Sequence, residues 1–148
     1  MSISSLLFSF SLLAPADVGE AQTFDWSQWR GPNRDGVSKE TGLLKKWPEG
    51  GPKVVWTAKD LGGSYNTPSV AAGRVFGMGY VNDKEVIWAL SDKDGTKLWQ
   101  TEVAPKAGKF GHNTGSRSTP TVDGNNVYAL GINSDLICVT ADKGARVW

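Results

Sequence analysis

Residues 67–79 read TPSVAAGRVFGMG and residues 119–131 read TPTVDGNNVYALG, and the two align without a gap. The Thr-Pro pair, the valine two places on, Val75 with Val127, Phe76 with Tyr128 and the closing glycine all coincide. A second pair follows, VIWALSDKDGTKLW (residues 86–99) over DLICVTADKGARVW (residues 135–148). It sets Gly95 on Gly144, Lys97 on Arg146 and Trp99 on Trp148. The second unit is three residues shorter between its halves. Trp56, at the end of GGPKVVW, closes the same kind of phrase, so these tryptophans recur at spacings of 43 and 49 residues. Such a repeat restricts the fold more than composition can. Each unit is one supersecondary piece whose apolar side is buried only by a neighbour.

Four short strands fit each unit. They are expected near residues 67–70, 74–78, 86–90 and 97–101 in the first, and near 119–122, 126–130, 136–140 and 146–148 in the second. Asp-Gly at 94–95 and at 123–124 offers the positive-φ residue that a tight turn requires. Pro68 and Pro120 lack an amide hydrogen and belong at a strand start or edge. The third strand, VIWAL, is apolar at consecutive positions, the pattern of a strand covered on both faces. Units of this length with four strands each are β-propeller blades. The expected fold class is all-β, a propeller of four-stranded blades of which about two are present. Trp56, Trp99 and Trp148 share one repeat position, and Gly95 and Gly144 form the turns before the last two. These residues are expected to pack blade on blade, each indole N–H taking a carbonyl on the neighbouring unit.

Composition supports this reading. The 148 residues suffice for one ordinary core. With 18 glycines and 7 tryptophans, and no sustained 3.6-residue apolar period beyond the first fifteen residues, strands and turns are favoured over helices. A formal net charge of +1 points to no nucleic-acid or anionic-membrane partner. The single Cys138 lies in the apolar run DLICV and reads as a small buried hydrophobe, and no CxxC spacing suggests zinc. Residues 6–14, LLFSFSLLA, are too short to span a bilayer but fit the apolar part of a secretory signal, with cleavage after Ala16 or Ala21. The organisation expected is a signal peptide over 1–21, an amino-terminal arm over 22–52 and repeats over 53–148, with units at 65–101 and 117–148.

ALSDKDGTKLW and CVTADKGARVW resemble the A-L-D-x-x-T-G-K-x-x-W signature of the PQQ-like (pyrroloquinoline-quinone-like) β-propeller repeat. That family includes quinoprotein alcohol dehydrogenases and the BamB factors of outer-membrane barrel assembly. The signature's aspartate is Ser91 and Thr140 here and its threonine is Asp94 and Lys143, while the glycine and tryptophan are kept. The stretch from Trp26 to Trp56 is also similar to the lead-in of exported bacterial members. The resemblance implies seven or eight blades, so the chain reads as the amino-terminal part of a longer protein whose remaining blades are its first partners. Two blades alone would leave two apolar faces for others to cover, and VVW at Trp56 would be a fourth strand without its own first three. In the family's dehydrogenases the quinone is held by adjacent disulfide-bonded cysteines, an aromatic platform and a calcium site of carboxylates and amide oxygen. This sequence has one cysteine and no paired carboxylate motif, so no cofactor is expected.

Two segments stand outside the strands. DWSQWRGPNRDG (residues 25–36) reads as an arm that crosses the propeller edge and buries Trp26 and Trp29. KAGKFGHNTGSRS (residues 106–118) is an inter-blade loop, in which Lys109, His112 and Arg117 are candidate contacts for an anion or substrate at the propeller mouth. His112 is the only histidine and has no serine or cysteine nucleophile motif around it. The expected function is an exported, non-catalytic scaffold for protein interaction, similar to BamB, with no catalytic, cofactor-binding or metal residues in this chain. The rival is the amino-terminal part of a PQQ-dependent quinoprotein oxidoreductase with its site in the missing blades. Expressed from its native start in a Gram-negative host, the protein should reach the periplasm with a first residue near Asp17 or Gln22. Amino-terminal sequencing that finds intact Met1 on periplasmic or cytoplasmic material would remove the export expectation.

Overall fold

The computed structural model describes residues 24–104, 109–110 and 113–148, so the expected signal peptide lies outside the described residues. Unit 1 is an antiparallel sheet of β1 (Ser69–Ala71), β2 (Arg74–Val81), β3 (Lys84–Ser91) and β4 (Lys97–Ala104), paired in that order. A small ribbon, β5 (Lys109–Phe110) with β6 (Asn113–Thr114), precedes unit 2. Unit 2 pairs β7 (Thr121–Asp123), β8 (Asn126–Leu130) and β9 (Leu136–Thr140), again in chain order. The described residues contain no helix.

Local chemistry accounts for the hairpins. Ala72 and Gly73 join β1 to β2 with both φ positive, and Asn82 and Asp83 do the same between β2 and β3. That backbone follows the right-handed twist of the strands it joins. The second of these turns carries no glycine, and it lets β2 and β3 run to Val81 and from Lys84, beyond the expected strand ends. Gly95 and Gly124, the two Asp-Gly positions, take φ of 72° and 56°.

The consecutive apolar run of β3 is buried throughout, from Val86 to Leu90. Ile87 and Ala89, with Phe76 and Met78 of β2, meet Val127, Ala129, Ile137 and Val139 of unit 2 in one cluster. The opposite face, Val86, Trp88 and Leu90, forms a second cluster closed by Trp56, Ala58 and Leu61. Gly77 is required here. A Cβ at that position would lie 2.4 Å from the Trp88 ring. Unit 2 has Ile137 in place of Trp88 and tolerates Ala129 in place of the glycine.

Three expectations about the two units need correction. First, the free face of unit 1, expected to be open, is covered, because Trp56, Ala58 and Leu61 lie over it. Second, the segment at Trp56 does not form a strand: it turns its indole into unit 1 and leaves Val54 and Val55 exposed. Third, residues 146–148 make one bridge, Val139 with Arg146, and two bonds between Cys138 and residues 147–148 instead of a fourth strand. Arg146 is drawn across to unit 1, where its guanidinium donates to the carbonyls of Glu102 and Val103 at 2.6 and 3.3 Å.

The arm ties the two units along their first strands. Trp26 bridges Val70 through bonds of 2.7 and 2.9 Å, and Ser27 accepts from the Val122 amide at 2.8 Å. Trp26 is half-buried over Gly31, but Trp29 is 60% exposed, contrary to expectation. The tight turn at residues 28–31, with positive φ at Arg30 and Gly31, swings Trp29 outward under the Arg30 guanidinium at 5.4 Å.

Trp99 is packed into the inter-unit cluster whereas Trp148 is 55% exposed. Trp99 is partly buried, so Trp99→Ala should cost about 3 kcal/mol, the low end of the range for removing a core aromatic. Trp148→Ala should cost less by about 2 kcal/mol or more, since little burial is lost. Denaturant melts of the two variants compare them, and equal losses would refute the difference.

Candidate functional site

The tryptophans and glycines of the repeat make one device twice. The Trp56 indole donates to the Asp92 carbonyl at 2.9 Å, and the Trp99 indole donates to the Ala141 carbonyl at 3.0 Å. Asp92 and Ala141 are equivalent positions in the aligned repeat, three residues before Gly95 and Gly144. Each glycine has a positive φ, and a Cβ on either would fall 2.4 Å from the ring lying over it. Both reasons demand glycine: backbone conformation and the close approach of an aromatic face. Thr101 adds a 2.6 Å bond to the Gly144 carbonyl.

Each turn is also closed from within. Gly95 donates to Ser91 and Gly144 to Thr140, at 2.9 and 2.8 Å. In unit 1 the Thr96 amide, 3.0 Å away, is the main group holding the Asp94 carboxyl below its ordinary value, with Thr96 and Ser91 side chains helping. In unit 2 the Thr140 side chain does the same for Asp142. A hydroxyl and a carboxylate thus close both turns.

A second polar site lies between the units, and no motif marks it. Glu85, at the start of β3, is fully buried. Its carboxylate accepts from the Ile132 amide at 2.9 and 3.2 Å through its two oxygens. Gly131 lies so close that a Cβ would sit 2.6 Å from one carboxylate oxygen. Burial pushes the Glu85 carboxyl above its usual value, and the Asp135 charge adds to the rise, while the Ile132 amide and the Ser116 side chain oppose it. Ser116, also buried, donates to the Leu130 carbonyl at 3.0 Å, and its own carbonyl accepts from Ser64 and Tyr65. The aligned position to Glu85 in unit 2 is Ser134, so the repeat did not mark it.

Arg117, with Ser118, Leu130, Gly131, Ile132 and Ser134, lines a shallow cavity above this cluster. Of the candidate loop residues, Arg117 lines this cavity; the backbone of Lys109 lies in β5, and His112 is outside the described residues. A separate cavity of about 190 Å³ opens between the arm and its own return, lined by Phe24, Trp26, Val37 and Lys39 among others.

A family model described as outer membrane protein assembly factor BamB, a PQQ-like repeat model, matches residues 37–148. The chain belongs to this family of PQQ-like repeat proteins. The match runs from the arm through both units. No curated protein matches the chain. Within the family's architecture the two sheets are neighbouring blades, and the tryptophan over the next unit's glycine turn is the joint between them.

The residues present do not fit the quinone for which the repeat is named. Cys138 is a single buried thiol on β9, and the buried carboxylate of Glu85 is engaged by a backbone amide. Among the described residues no three His, Cys, Asp or Glu side chains converge as a metal site.

The Glu85 geometry has a pH consequence. A carboxyl whose pKa folding raises favours the folded chain while it is protonated. That contribution is present below the ordinary value of 4.5 and is lost as pH rises through the raised one. Glu85→Gln removes the buried charge while its amide oxygen still accepts from Ile132. The melting temperature of Glu85→Gln, relative to the parent, should therefore climb between acid and neutral pH. A difference that is flat with pH would show that Glu85 does not titrate in this way.

Proposed function

We propose that the chain is an exported, non-catalytic PQQ-like propeller scaffold for protein interaction, similar in kind to BamB. The observation that carries this reading is where the conspicuous side chains go. The indoles of Trp56 and Trp99 are bound to backbone carbonyls of the next unit, Cys138 is buried, and Glu85 clasps unit 1 to unit 2. Chemistry-bearing groups are thus engaged in holding the blades together. The arm also turns apolar and aromatic side chains outward: Trp29, Leu43, Leu44 and Trp47 are all 60% exposed or more. Aromatic and leucine side chains displayed on a rigid frame suit the recognition of another protein surface. The match to a family described as an outer-membrane assembly factor supports a role in the cell envelope. No helix among the described residues is long and apolar enough to cross a membrane.

A quinoprotein would behave differently in a direct test. Titration with pyrroloquinoline quinone and calcium should give no saturable change in tryptophan fluorescence and no dye-linked alcohol oxidation. Saturation at micromolar quinone would overturn the non-catalytic reading and restore the oxidoreductase.

A further inference from the structure

Asp-Gly occurs three times in the chain, at 35–36, 94–95 and 123–124. In this dipeptide the glycine nitrogen can attack the aspartyl side chain, since no Cβ on the glycine obstructs the approach. The nitrogen bonds to the aspartyl Cγ, and one carboxyl oxygen leaves as water, giving a five-membered succinimide. Water then adds to either ring carbonyl and opens the ring. Breaking the bond from nitrogen to Cγ restores aspartate. Breaking the bond from nitrogen to the former backbone carbonyl leaves isoaspartate, with the main chain routed through Cγ. The water released in the first step balances the water taken up in the second, and nothing is oxidised or reduced.

Folding locks two of the three pairs. The Asp35 carboxylate accepts from the Val37 amide at 2.9 Å, and the Gly36 amide donates to the Arg30 carbonyl at 2.9 Å. The Asp94 carboxylate accepts from the Thr96 amide at 3.0 Å, and the Gly95 amide donates to the Ser91 carbonyl at 2.9 Å. The Trp56 ring also lies over Gly95. At 123–124 neither reacting group is engaged: among the described residues, nothing bonds to the Asp123 carboxylate or the Gly124 amide. Both residues are exposed, and a Cβ on Gly124 would meet nothing within 4 Å.

The hairpin accounts for this freedom. Asp123 pairs with Asn126 across β7 and β8, leaving Gly124 and Asn125 as a two-residue turn. Of these two only Gly124 has a positive φ, 56°, the pattern of a turn whose first amide faces water instead of the opposite strand. The repeat does not demand the pair, because Ala71 and Ala72 stand at the aligned positions in unit 1. Bonds lie on both sides of the turn. The Val122 amide donates to the Ser27 carbonyl of the arm at 2.8 Å, and the Asn125 carbonyl accepts from the Ala141 amide at 2.8 Å. Isoaspartate at 123 would add one backbone carbon between these two bonds.

We propose that Asp123–Gly124 is a site of isoaspartate formation in the folded protein, left free to react while the other two Asp-Gly pairs are held, and that its conversion loosens the arm from unit 2. The proposal stands apart from the scaffold reading and needs no partner or cofactor.

The test ages the full chain in mildly acidic buffer, once folded and once in urea. Isoaspartate is read by methyl transfer from S-adenosylmethionine with protein-isoaspartate methyltransferase. It is placed by digestion with an endoproteinase that cuts before aspartate but not before isoaspartate. Each pair is compared with its own rate in the unfolded chain. Folding should slow 35–36 and 94–95 by about fivefold or more, because bonds to both reacting groups must break first, and should leave 123–124 within about twofold. Asp123→Glu keeps the exposed charge but cannot close a five-membered ring, so it should remove most methyl acceptance from the folded chain. Hydrogen exchange at the Val122 and Ala141 amides should quicken in the aged chain. A pair at 123–124 slowed as much as the other two, or methyl acceptance that survives Asp123→Glu, would overturn the site. Unchanged exchange at those two amides would overturn the loosening.

Discussion

An indole ring laid flat over a glycine, with its N–H in a backbone carbonyl, is the joint on which this structure depends. It satisfies the one polar atom of Trp99 while burying the ring, so the large apolar area is gained without an orphaned donor. It also fixes the approach of the two sheets. With the Trp99 ring seated on Gly144, Phe76, Met78 and Ile87 are brought against Val127, Ile137 and Val139. The Glu85 and Arg146 bonds between the units hold the same register.

The repeat that makes the joint also made it legible. Two gapless alignments pair Trp99 with Trp148 and Gly95 with Gly144, and the apolar run of β3 marks a strand buried on both faces. What escaped was whatever differs between units. Glu85 has no counterpart in unit 2 and belongs to no motif, yet it is wholly buried at the contact between units. The course of the arm escaped too, because Trp26 and Trp29 look alike in sequence, and the turn between them sends one ring inward and the other out. Residues 146–148 looked like a strand by alignment, but Arg146 reaches a carbonyl pair in unit 1, an interaction between units that pairwise self-comparison does not reveal.

Departures from the family signature are compensated inside the turn. The signature places a carboxylate first and a hydroxyl three residues later. Unit 1 has the two reversed, Ser91 and then Asp94, and the side chains still reach each other. Unit 2 keeps the hydroxyl first, at Thr140, and moves the carboxylate to Asp142. The turn needs a donor and an acceptor across a glycine and is indifferent to which residue supplies which. Family membership therefore survives the loss of the signature's most recognisable polar letters.

The buried thiol of Cys138 has a use that follows from its position. It is the only cysteine, it lies on the last strand of unit 2, and its backbone is bonded on both sides to residues 147–148. An aqueous alkylating reagent can reach it only when that segment and β9 open. Because stability in stacked repeats is a sum of unit and neighbour contributions, opening of unit 2 need not accompany opening of unit 1. The labelling rate of this one sulfur therefore clocks the breathing of a single blade, while the tryptophans report on both.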